Sequence, residues 1–296
     1  MGDRSILLVH AHPDDESIYN GAAICRYAET GAKVVLVTCT RGEEGAVQEC
    51  CDERLRNLVS SREDRLGEER SAELAQACSI LGLRDSDHFF LGDASQLSFR
   101  DSGMMGWRQN DNPTSFWQAG IDAAAAHLVE VIRTVRPNVL ITYDSNGQYG
   151  HPDHIRTNQV AMRAAVLAAD PAFGSGDSWD ISKIYWNAVP TKVLEEGIEK
   201  LRSSGAQIDP FFLTFHLPYS VSMDKITTVI DGRAYAHKKV AAMKAHRTQI
   251  DANGPYIQIG DVIGDSFWGM EYYVLVKGAL NEIDSDVREN SFFEDD

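Results

Sequence analysis

Residues 6–16 read Ile-Leu-Leu-Val-His-Ala-His-Pro-Asp-Asp-Glu, a short apolar run that ends in a cluster of histidines and carboxylates. The run over residues 6–10 has the length and composition of a strand buried in a parallel sheet. The polar residues follow where that strand would end, and Pro13 stiffens the turn. This stretch therefore predicts the first strand of a sheet and a functional site at its carboxyl end.

The rest of the chain alternates between strand-like and helix-like segments. We predict strands over residues 6–10, 34–38, 88–91, 139–143, 183–186 and 272–276, and helices over residues 21–30, 62–81, 119–135, 152–169, 193–201 and 234–246. Such alternation is typical of the doubly wound α/β class. We therefore expect a Rossmann-like, mostly parallel sheet with a smaller C-terminal α+β portion.

This pattern divides the chain into three regions, the first of which contains a long loop. Residues 1–170 would form the catalytic core, and residues 171–281 would complete the substrate site within the same domain or as a subdomain. Residues 93–117 are rich in Gly, Ser and Asn and show no period, which predicts a loop or lid. Residues 282–296 hold seven acids and one base, a net charge of −6, and predict a solvated acidic tail.

The composition excludes several classes of function. Asp plus Glu number 44 against 28 Lys plus Arg, a formal net charge of −16 that would repel nucleic acids and anionic membrane surfaces. No apolar stretch approaches the roughly 20 residues of a membrane-spanning helix. The first residues do not resemble a signal peptide, and the five cysteines form no CxxC pair, so we expect a cytoplasmic protein with reduced thiols. The sequence indicates no oligomeric state.

A second cluster of histidines and carboxylates follows the fourth predicted strand. It reads His151-Pro152-Asp153-His154, and the first cluster reads His12-Pro13-Asp14-Asp15. In doubly wound sheets, ligands bind beyond the carboxyl ends of the strands where the strand order reverses. The two clusters therefore predict one metal site.

The donors in these clusters are nitrogen and oxygen, without thiolate. Two histidines and a carboxylate suit Zn²⁺ and also fit Fe²⁺, and spacing alone leaves His151 and His154 as alternative ligands. Such a metal lowers the pKa of bound water and polarises a carbonyl group, while a nearby carboxylate can act as general base. The clusters therefore predict metal-assisted hydrolysis of a small molecule.

Both motifs resemble those of the PIG-L-type zinc deacetylases, which remove acetyl groups from N-acetylglucosamine-containing molecules. Within that family, the similarity is greatest to the deacetylases of mycothiol biosynthesis, which act on N-acetylglucosaminyl-inositol, an amino-sugar substrate. The resemblance covers residues 5 to about 170 well and the C-terminal third more loosely. It is carried by residues 11–17, 20–22, 39–45, 100–104 and 142–154.

The resemblance implies a role for each residue of the two motifs. His12, Asp15 and His154 would bind the metal, and Asp14 would be the general base that then protonates the leaving amine. His151 would not bind the metal but would stabilise the tetrahedral oxyanion or act as general acid.

Further residues take supporting roles by the same resemblance. Tyr149 would approach the carbonyl oxygen, and Asp153 would orient an imidazole by accepting its free N–H. Arg70 and Asp101 would bind the inositol and sugar hydroxyls. Tyr19 departs from the family, which commonly has a small polar residue there, and its ring could reshape the sugar pocket.

Alternative functions remain within and beyond the hydrolases. The related amidase that cleaves mycothiol S-conjugates shares both motifs, and so would a deacetylase that tailors an amino-sugar natural product. A catalytically inactive sugar-binding relative would lack a ligand or the base, and the chain retains both.

Overall fold

The computed structural model describes residues 4–57, 65–281 and 288–294. Within these ranges one sheet contains the strands β1 Ser5–His10, β2 Lys33–Thr38, β3 His88–Phe90, β4 Val139–Thr142, β5 Lys183–Ala188, β6 Thr228–Asp231 and β7 Met270–Lys277. Their order is β3-β2-β1-β4-β5-β7-β6. The strands β1 to β5 are parallel, whereas β7 is antiparallel to both β5 and β6. The predicted α/β, mostly parallel fold is confirmed.

The strand order reverses beside β1, because β1 pairs with β2 on one side and with β4 on the other. Leu8 of β1 is in register with Leu36 of β2 and with Ile141 of β4. The chain leaves β1 and β4 at the same edge of the sheet, since the two strands are parallel. This switch point is where the two histidine motifs begin.

Helices cover both faces of the sheet. They are α1 Asp15–Glu29, α2 Glu53–Arg56, α3 Arg65–Leu81, α4 Ile121–Val135, α5 Gly147–Gly150, α6 Pro152–Ala169, α7 Thr191–Ser204, α8 Phe211–His216, α9 Ala236–Ala245, α10 Pro255–Ile263 and α11 Asp265–Gly269. The predicted helix over residues 62–81 begins within the described part at Arg65, and residues 62–64 lie outside it.

Alternation along β1 divides the core into two layers. Leu7 and Val9 point into the layer formed with α4 and α6, and Ile6 and Leu8 point into the layer formed with α1 and α3. Successive strand residues face opposite sides of a sheet, so a continuous apolar run is needed where both sides are covered. This requirement explains the uniform hydrophobicity of β1.

Helix α1 begins six residues before its predicted start at residue 21. Its first turns carry polar side chains, among them Glu16, Ser17 and Asn20, which are all fully buried. The prediction was wrong because it followed apolar spacing, and the buried face of this helix is polar at its N-terminus. The carboxylates there are favoured by the helix dipole.

The acidic tail does not remain in solvent along its whole length. Phe292 is 1% exposed and packs between Tyr27 and Tyr185, and Glu289 forms a buried ion pair with Lys183 at 2.6 Å. The expectation of a solvated tail is therefore wrong for Glu289, Ser291 and Phe292, whereas Asn290 is exposed. Residues 282–287, 295 and 296 lie outside the described residues.

The segment over residues 93–117, predicted as a loop or lid, consists of short 3-10 turns and isolated bridges. Phe99 bridges to Thr40, and Arg100 bridges to Ser115. The first bridge docks the segment beside the carboxyl end of β2, and the second joins two parts of the segment to each other. Among the described helices, none has the length and apolar character needed to cross a membrane.

Candidate metal centre and active site

The loops after β1 and β4 bring three histidines together. The rings of His12 and His151 have centroids 4.6 Å apart, and the His154 ring lies 5.3 Å from His12 and 5.2 Å from His151. One nitrogen of each ring lies within 4.8 Å of the others. The structure thus brings together His12, His154 and the alternative ligand His151.

Asp15 reaches the same centre from the first turn of α1. Its Oδ2 lies 3.5 Å from His12 Nδ1 and 3.5 Å from His154 Nε2. The same oxygen accepts hydrogen bonds from the Tyr143 hydroxyl at 2.7 Å and from the backbone N–H of His12 at 2.9 Å. Burial alone would raise the pKa of Asp15, but the His154 and His12 imidazoles hold it well below its usual value, so the carboxylate is ionised.

His154 is the clearest ligand-type side chain of the centre. It is fully buried, and neither ring nitrogen has a hydrogen-bond partner among the described residues. A buried polar atom without a partner is costly, and an imidazole nitrogen can be satisfied by a metal ion. Burial lowers the pKa of His154 to about 3, which keeps the ring in the neutral, metal-binding form.

Two carboxylates orient the His12 ring by contacting its Nε2 atom. Its Nε2 lies 3.2 Å from Asp153 Oδ2 and 3.6 Å from Asp101 Oδ1, while its Nδ1 faces Asp15. Although burial alone would lower the pKa of His12, Asp101 and the hydrogen-bonded carboxylates raise it well above its usual value. The contact from Asp153 directs Nδ1 towards the centre.

Asp153 is itself held by Ser102. The Ser102 backbone N–H donates to Asp153 Oδ2 at 2.9 Å, and the Ser102 hydroxyl donates to Asp153 Oδ1. Burial raises the pKa of Asp153 to about 6. The segment over residues 93–117 therefore supports the centre through Ser102 as well as through Asp101.

The backbone of Asp14 is strained, and the residue lies beside the candidate metal ligands. Its φ is 123°, a region that residues other than glycine rarely adopt. Its backbone N–H donates to Glu16 Oε2 at 3.0 Å, and the Arg70 guanidinium lies 3.1 Å from Asp14 Oδ2. Burial raises the pKa of Asp14 to about 7, against the opposing effect of Arg70.

Arg70 is buried against the loops rather than lying on a solvated helix face. Its Nη2 donates to the Pro13 carbonyl at 2.6 Å, and its Nη1 donates to the Gly42 carbonyl at 2.8 Å. A Cβ on Gly42 would lie 2.1 Å from the guanidinium, so only glycine leaves room for it. These contacts tie α3 to the loop that carries Asp14.

A second ion pair, between His246 and Glu16, supports the same loop. His246 follows α9, is fully buried, and places Nε2 2.8 Å from Glu16 Oε1. Glu16 also accepts the backbone N–H of Asp14 through Oε2, so the ion pair connects His246 to the loop that carries Asp14.

The motifs open into a pocket of about 440 Å³. It is lined by the predicted residues His12, Asp14, Asp15, Arg70, Asp101, Tyr149 and His151, and also by Tyr19. The ring of Tyr149 lies 5.0 Å from that of His154, and the ring of Tyr19 lies 6.4 Å from it. All the predicted site residues are therefore at or directly behind one pocket.

Several pocket and support residues were not predicted. Ser102 and Tyr143 act through carboxylates, and the aromatic side chains of α8 line the pocket mouth. Tyr143 ends the fourth predicted strand eight residues before His151, and this position at the carboxyl end of the strand is a usable signal. The sequence pattern of α8 does not indicate that its aromatic side chains line the pocket. Their position depends on the path of the chain after β5.

Comparison with known proteins places the chain in a family. The family model described as PIG-L, GlcNAc-PI de-N-acetylase, matches residues 7–165, more than half of the chain. The chain belongs to the PIG-L family. The matched residues include both histidine motifs and all nine predicted site residues of this PIG-L protein.

Two relatives and one solved structure illustrate the similarity. The 1D-myo-inositol 2-acetamido-2-deoxy-alpha-D-glucopyranoside deacetylase of Thermomonospora curvata is 48% identical over 98% of this chain and 96% of its own. The protein of the same name from Streptomyces scabiei is 50% identical over 98% of this chain and 88% of its own. The N,N'-diacetylchitobiose deacetylase of Pyrococcus horikoshii superposes with a TM-score of 0.61 at 18% identity, covering 93% of this chain and 84% of that one. At 18% identity, that last similarity shows a shared fold and no more.

Proposed function

We propose that the protein is a metal-dependent hydrolase that removes the N-acetyl group from an N-acetylglucosaminyl-inositol, as in mycothiol biosynthesis. The observation that carries this proposal is the convergence of Asp14, Asp15 and His12 in one pocket, with His154 directly behind it at 3.5 Å from Asp15. The substrate is inferred from relatives that bear this activity in their names and are similar along nearly the whole chain.

The metal ligands in this proposal are His12, Asp15 and His154. The unpartnered ring nitrogens of His154 and the ionised Asp15 support them, and their nitrogen and oxygen donors suit Zn²⁺, with Fe²⁺ as the alternative. A bound dication supplies Lewis-acid activation of water and of the amide carbonyl.

Asp14 is the general base in this reaction. Its pKa of about 7 lets it accept a proton from the attacking water near neutral pH and return that proton to the leaving amine. Arg70 and the backbone contact to Glu16 hold its carboxyl group at the edge of the pocket. Arg70 therefore positions the base, in addition to any contact with substrate hydroxyls.

His151 and Tyr149 stabilise the oxyanion. The Asp153 backbone N–H donates to His151 Nδ1 at 3.2 Å, so a neutral His151 ring carries its proton on Nε2. Burial lowers the pKa of His151 to about 2, which favours that neutral N–H donor, and burial raises the pKa of the Tyr149 hydroxyl. Both groups can therefore donate a hydrogen bond to developing negative charge.

Asp101 is the proposed contact to the sugar hydroxyls. It lines the pocket, and its oxygens accept N–H groups from Gly103 at 2.8 Å and from Glu44 at 3.3 Å. A carboxylate has about four acceptor positions, so it retains capacity for a hydroxyl.

The mycothiol S-conjugate amidase reaction is a second candidate. Phe211 and Trp107 both line the pocket and are 55% and 48% exposed. Such an apolar lining favours a substrate that carries an apolar group, which the amidase substrates do and an inositol glycoside does not.

A comparison of substrates tests the proposal. Zinc-loaded protein is incubated separately with N-acetylglucosaminyl-inositol, a mycothiol S-conjugate and an N-acetylated amino-sugar natural product, and release of free amine is measured. We expect the highest kcat/KM with the first. Faster release from either other compound would replace the proposed substrate, and release from none of them would contradict the hydrolase.

A further inference from the structure

A second cavity lies on the other side of the loop that carries Tyr149. We call it the Gln148 cavity. It has a volume of about 370 Å³, and its polar and aromatic lining includes Asp144, Gln148, Trp186, Asn187, Tyr219 and Lys225. His216 is the only residue that it shares with the lining of the catalytic pocket described above.

Three side chains of this lining have buried polar atoms without partners among the described residues. They are Gln148 Oε1, Asn187 Nδ2 and Trp186 Nε1. Gln148 is 6% exposed and Asn187 is 4% exposed. An unpaired buried polar group costs about 1–3 kcal/mol. Gln148 Oε1 and Trp186 Nε1 are two such atoms at this cavity, and they indicate a ligand with hydrogen-bonding groups.

The orientation of the Asn187 amide is fixed by its neighbours. Asn187 Oδ1 accepts from Asn20 Nδ2 at 2.8 Å, and Asn20 Nδ2 also donates to the Tyr273 hydroxyl at 2.9 Å. Reversing the Asn187 amide would place two donors face to face, so its Nδ2 points away from Asn20. Asn187 follows Trp186 in β5, so its side chain lies on the face of the sheet that packs against α1, and Gln148 and Trp186 supply the free groups of the Gln148 cavity.

Gln148 is held by an unusual backbone conformation. Its φ is 57°, which is rare for a residue other than glycine, and its N–H donates to Asp144 Oδ1 at 2.7 Å. Its side-chain Nε2 donates to the Asn187 carbonyl at 3.3 Å, which leaves Oε1 unpaired. Strain of this kind collects at binding and switch positions.

The free groups define the chemistry of the ligand. One donor, Trp186 Nε1, and one acceptor, Gln148 Oε1, suit hydroxyl groups, which both donate and accept. The lining carries one carboxylate, Asp144, and one ammonium group, Lys225, which together favour a ligand without net charge. Trp186 and Tyr219 offer aromatic surfaces for the C–H faces of a ring, and Tyr219 is 41% exposed.

We propose that the Gln148 cavity binds an uncharged polyhydroxylated molecule of monosaccharide or cyclitol size, independently of the catalytic pocket. Gln148 directly precedes Tyr149, so an occupant that bonds to Gln148 Oε1 also restricts the position of the residue next to Tyr149. The site is separate from the proposed deacetylation, and its test requires no turnover.

Fluorine NMR of the 5-fluorotryptophan-labelled full chain tests this proposal. Trp186 lies in the Gln148 cavity and Trp107 in the catalytic pocket, and Trp179 lines neither. On titration with myo-inositol or glucose, we expect a saturable shift of the Trp186 resonance whose midpoint differs from that of Trp107. Coincident midpoints would assign the ligand to the catalytic pocket and overturn an independent site. Absence of a saturable Trp186 shift with both probes would overturn the site altogether.

Three variants identify the contacts. Trp186→Phe removes the unpaired N–H, and Tyr219→Ala removes an exposed ring. Each should raise the dissociation constant, measured on the ligand resonances, by about three- to tenfold, the effect of one neutral hydrogen bond or a comparable contact. Trp179→Phe is the matched control, because its Nε1 donates to the Pro137 carbonyl outside the cavity. Equal affinities in all three variants and the wild type would contradict the assigned lining.

Discussion

Among single residues, Asp14 shows best how the fold prepares a reactive group. Its side chain is mostly buried beside the candidate metal ligands, and its backbone is strained. The Arg70 guanidinium lies 3.1 Å from its Oδ2. Burial and the neighbouring Asp15 raise its pKa, whereas Arg70 lowers it, and the result of about 7 suits proton transfer at neutral pH.

The first prediction concerns pH. Because the deprotonated form of Asp14 is the base, kcat/KM should rise with pH on an acid limb and level off above it. The bound dication lowers the pKa of Asp14, so the midpoint should lie at or below about 7. Asp14→Asn should lose about 10²- to 10⁴-fold in kcat and retain its metal. An unchanged rate in Asp14→Asn would remove Asp14 from the mechanism.

The second prediction concerns Arg70. Arg70→Met removes a positive charge from beside Asp14, so the pKa of Asp14 should rise and the acid limb should move to higher pH. Substrate contact alone would instead raise KM and leave the limb in place. Arg54→Met is the control, because Arg54 is an exposed arginine that pairs with Glu69 at 3.6 Å. The pH profiles of the three proteins decide between these roles.

At this scale the sequence predicted the residues of the pocket but not all of their partners. His12, Asp14, Asp15 and His154 follow strands, so the strand order alone places them together. The contact of Arg70 with Asp14 joins residues 56 positions apart and depends on the space that Gly42 leaves. No local pattern records such a contact, and so its positioning role was not predicted.

At the scale of elements, α1 is attached to the sheet by a buried ion pair. Lys239 of α9 lies 2.7 Å from Glu271 of β7, and the two side chains are 5% and 3% exposed. Glu271 also accepts the backbone N–H groups of Ala22 and Ala23 in α1 at 2.9 Å. Three elements therefore meet at one carboxylate beneath the helix that carries Asp15.

The third prediction follows from this ion pair. Lys239→Met should lower the free energy of unfolding by about 3–5 kcal/mol, because it leaves a buried carboxylate without its partner. Lys238→Met is a matched control on the next residue, where an exposed side chain lies 3.7 Å from Glu29 and contributes about 0–1 kcal/mol. Urea denaturation measures both, and equal losses would contradict the assigned ion pair.

Elements with apolar periodicity were predicted well, and elements with buried polar faces were not. The bounds of β1, β2 and α6 agree with the sequence to within a residue. The start of α1 was missed because Glu16, Ser17 and Asn20 are buried through hydrogen bonds rather than through apolar contact. Functional sites use such polar burial, so pattern analysis fails closest to the chemistry.

For the whole molecule, the C-terminal segment completes the core rather than extending from it. Phe292 belongs to the layer that contains Ile6 and Leu8 of β1, and Glu289 accepts hydrogen bonds from Tyr185 and Thr228. The net charge of −16 did not predict this packing. The longest apolar run in the acidic tail, Phe292-Phe293, is only two residues long and gives a weak signal. The informative acids are the few that face histidines, arginines and lysines inside the fold.

The fourth prediction measures that packing. Phe292→Ala should lower the free energy of unfolding by about 3–5 kcal/mol, as expected for removing a fully buried aromatic ring. Phe293→Ala should cost less, since Phe293 is only partly buried at the edge of the same layer. Similar losses for the two variants in thermal or urea denaturation would contradict the position of Phe292 in the core.

The central claim is that one metal ion in this pocket enables hydrolysis of the acetamide. Chelator-treated protein is titrated with Zn²⁺, and amine release from N-acetylglucosaminyl-inositol is measured at each addition. The account predicts that the rate rises linearly and breaks at one equivalent per chain, and that His154→Ala shows neither the rise nor the break. Full activity in the chelator-treated protein, or none after one equivalent of metal is bound, would contradict it.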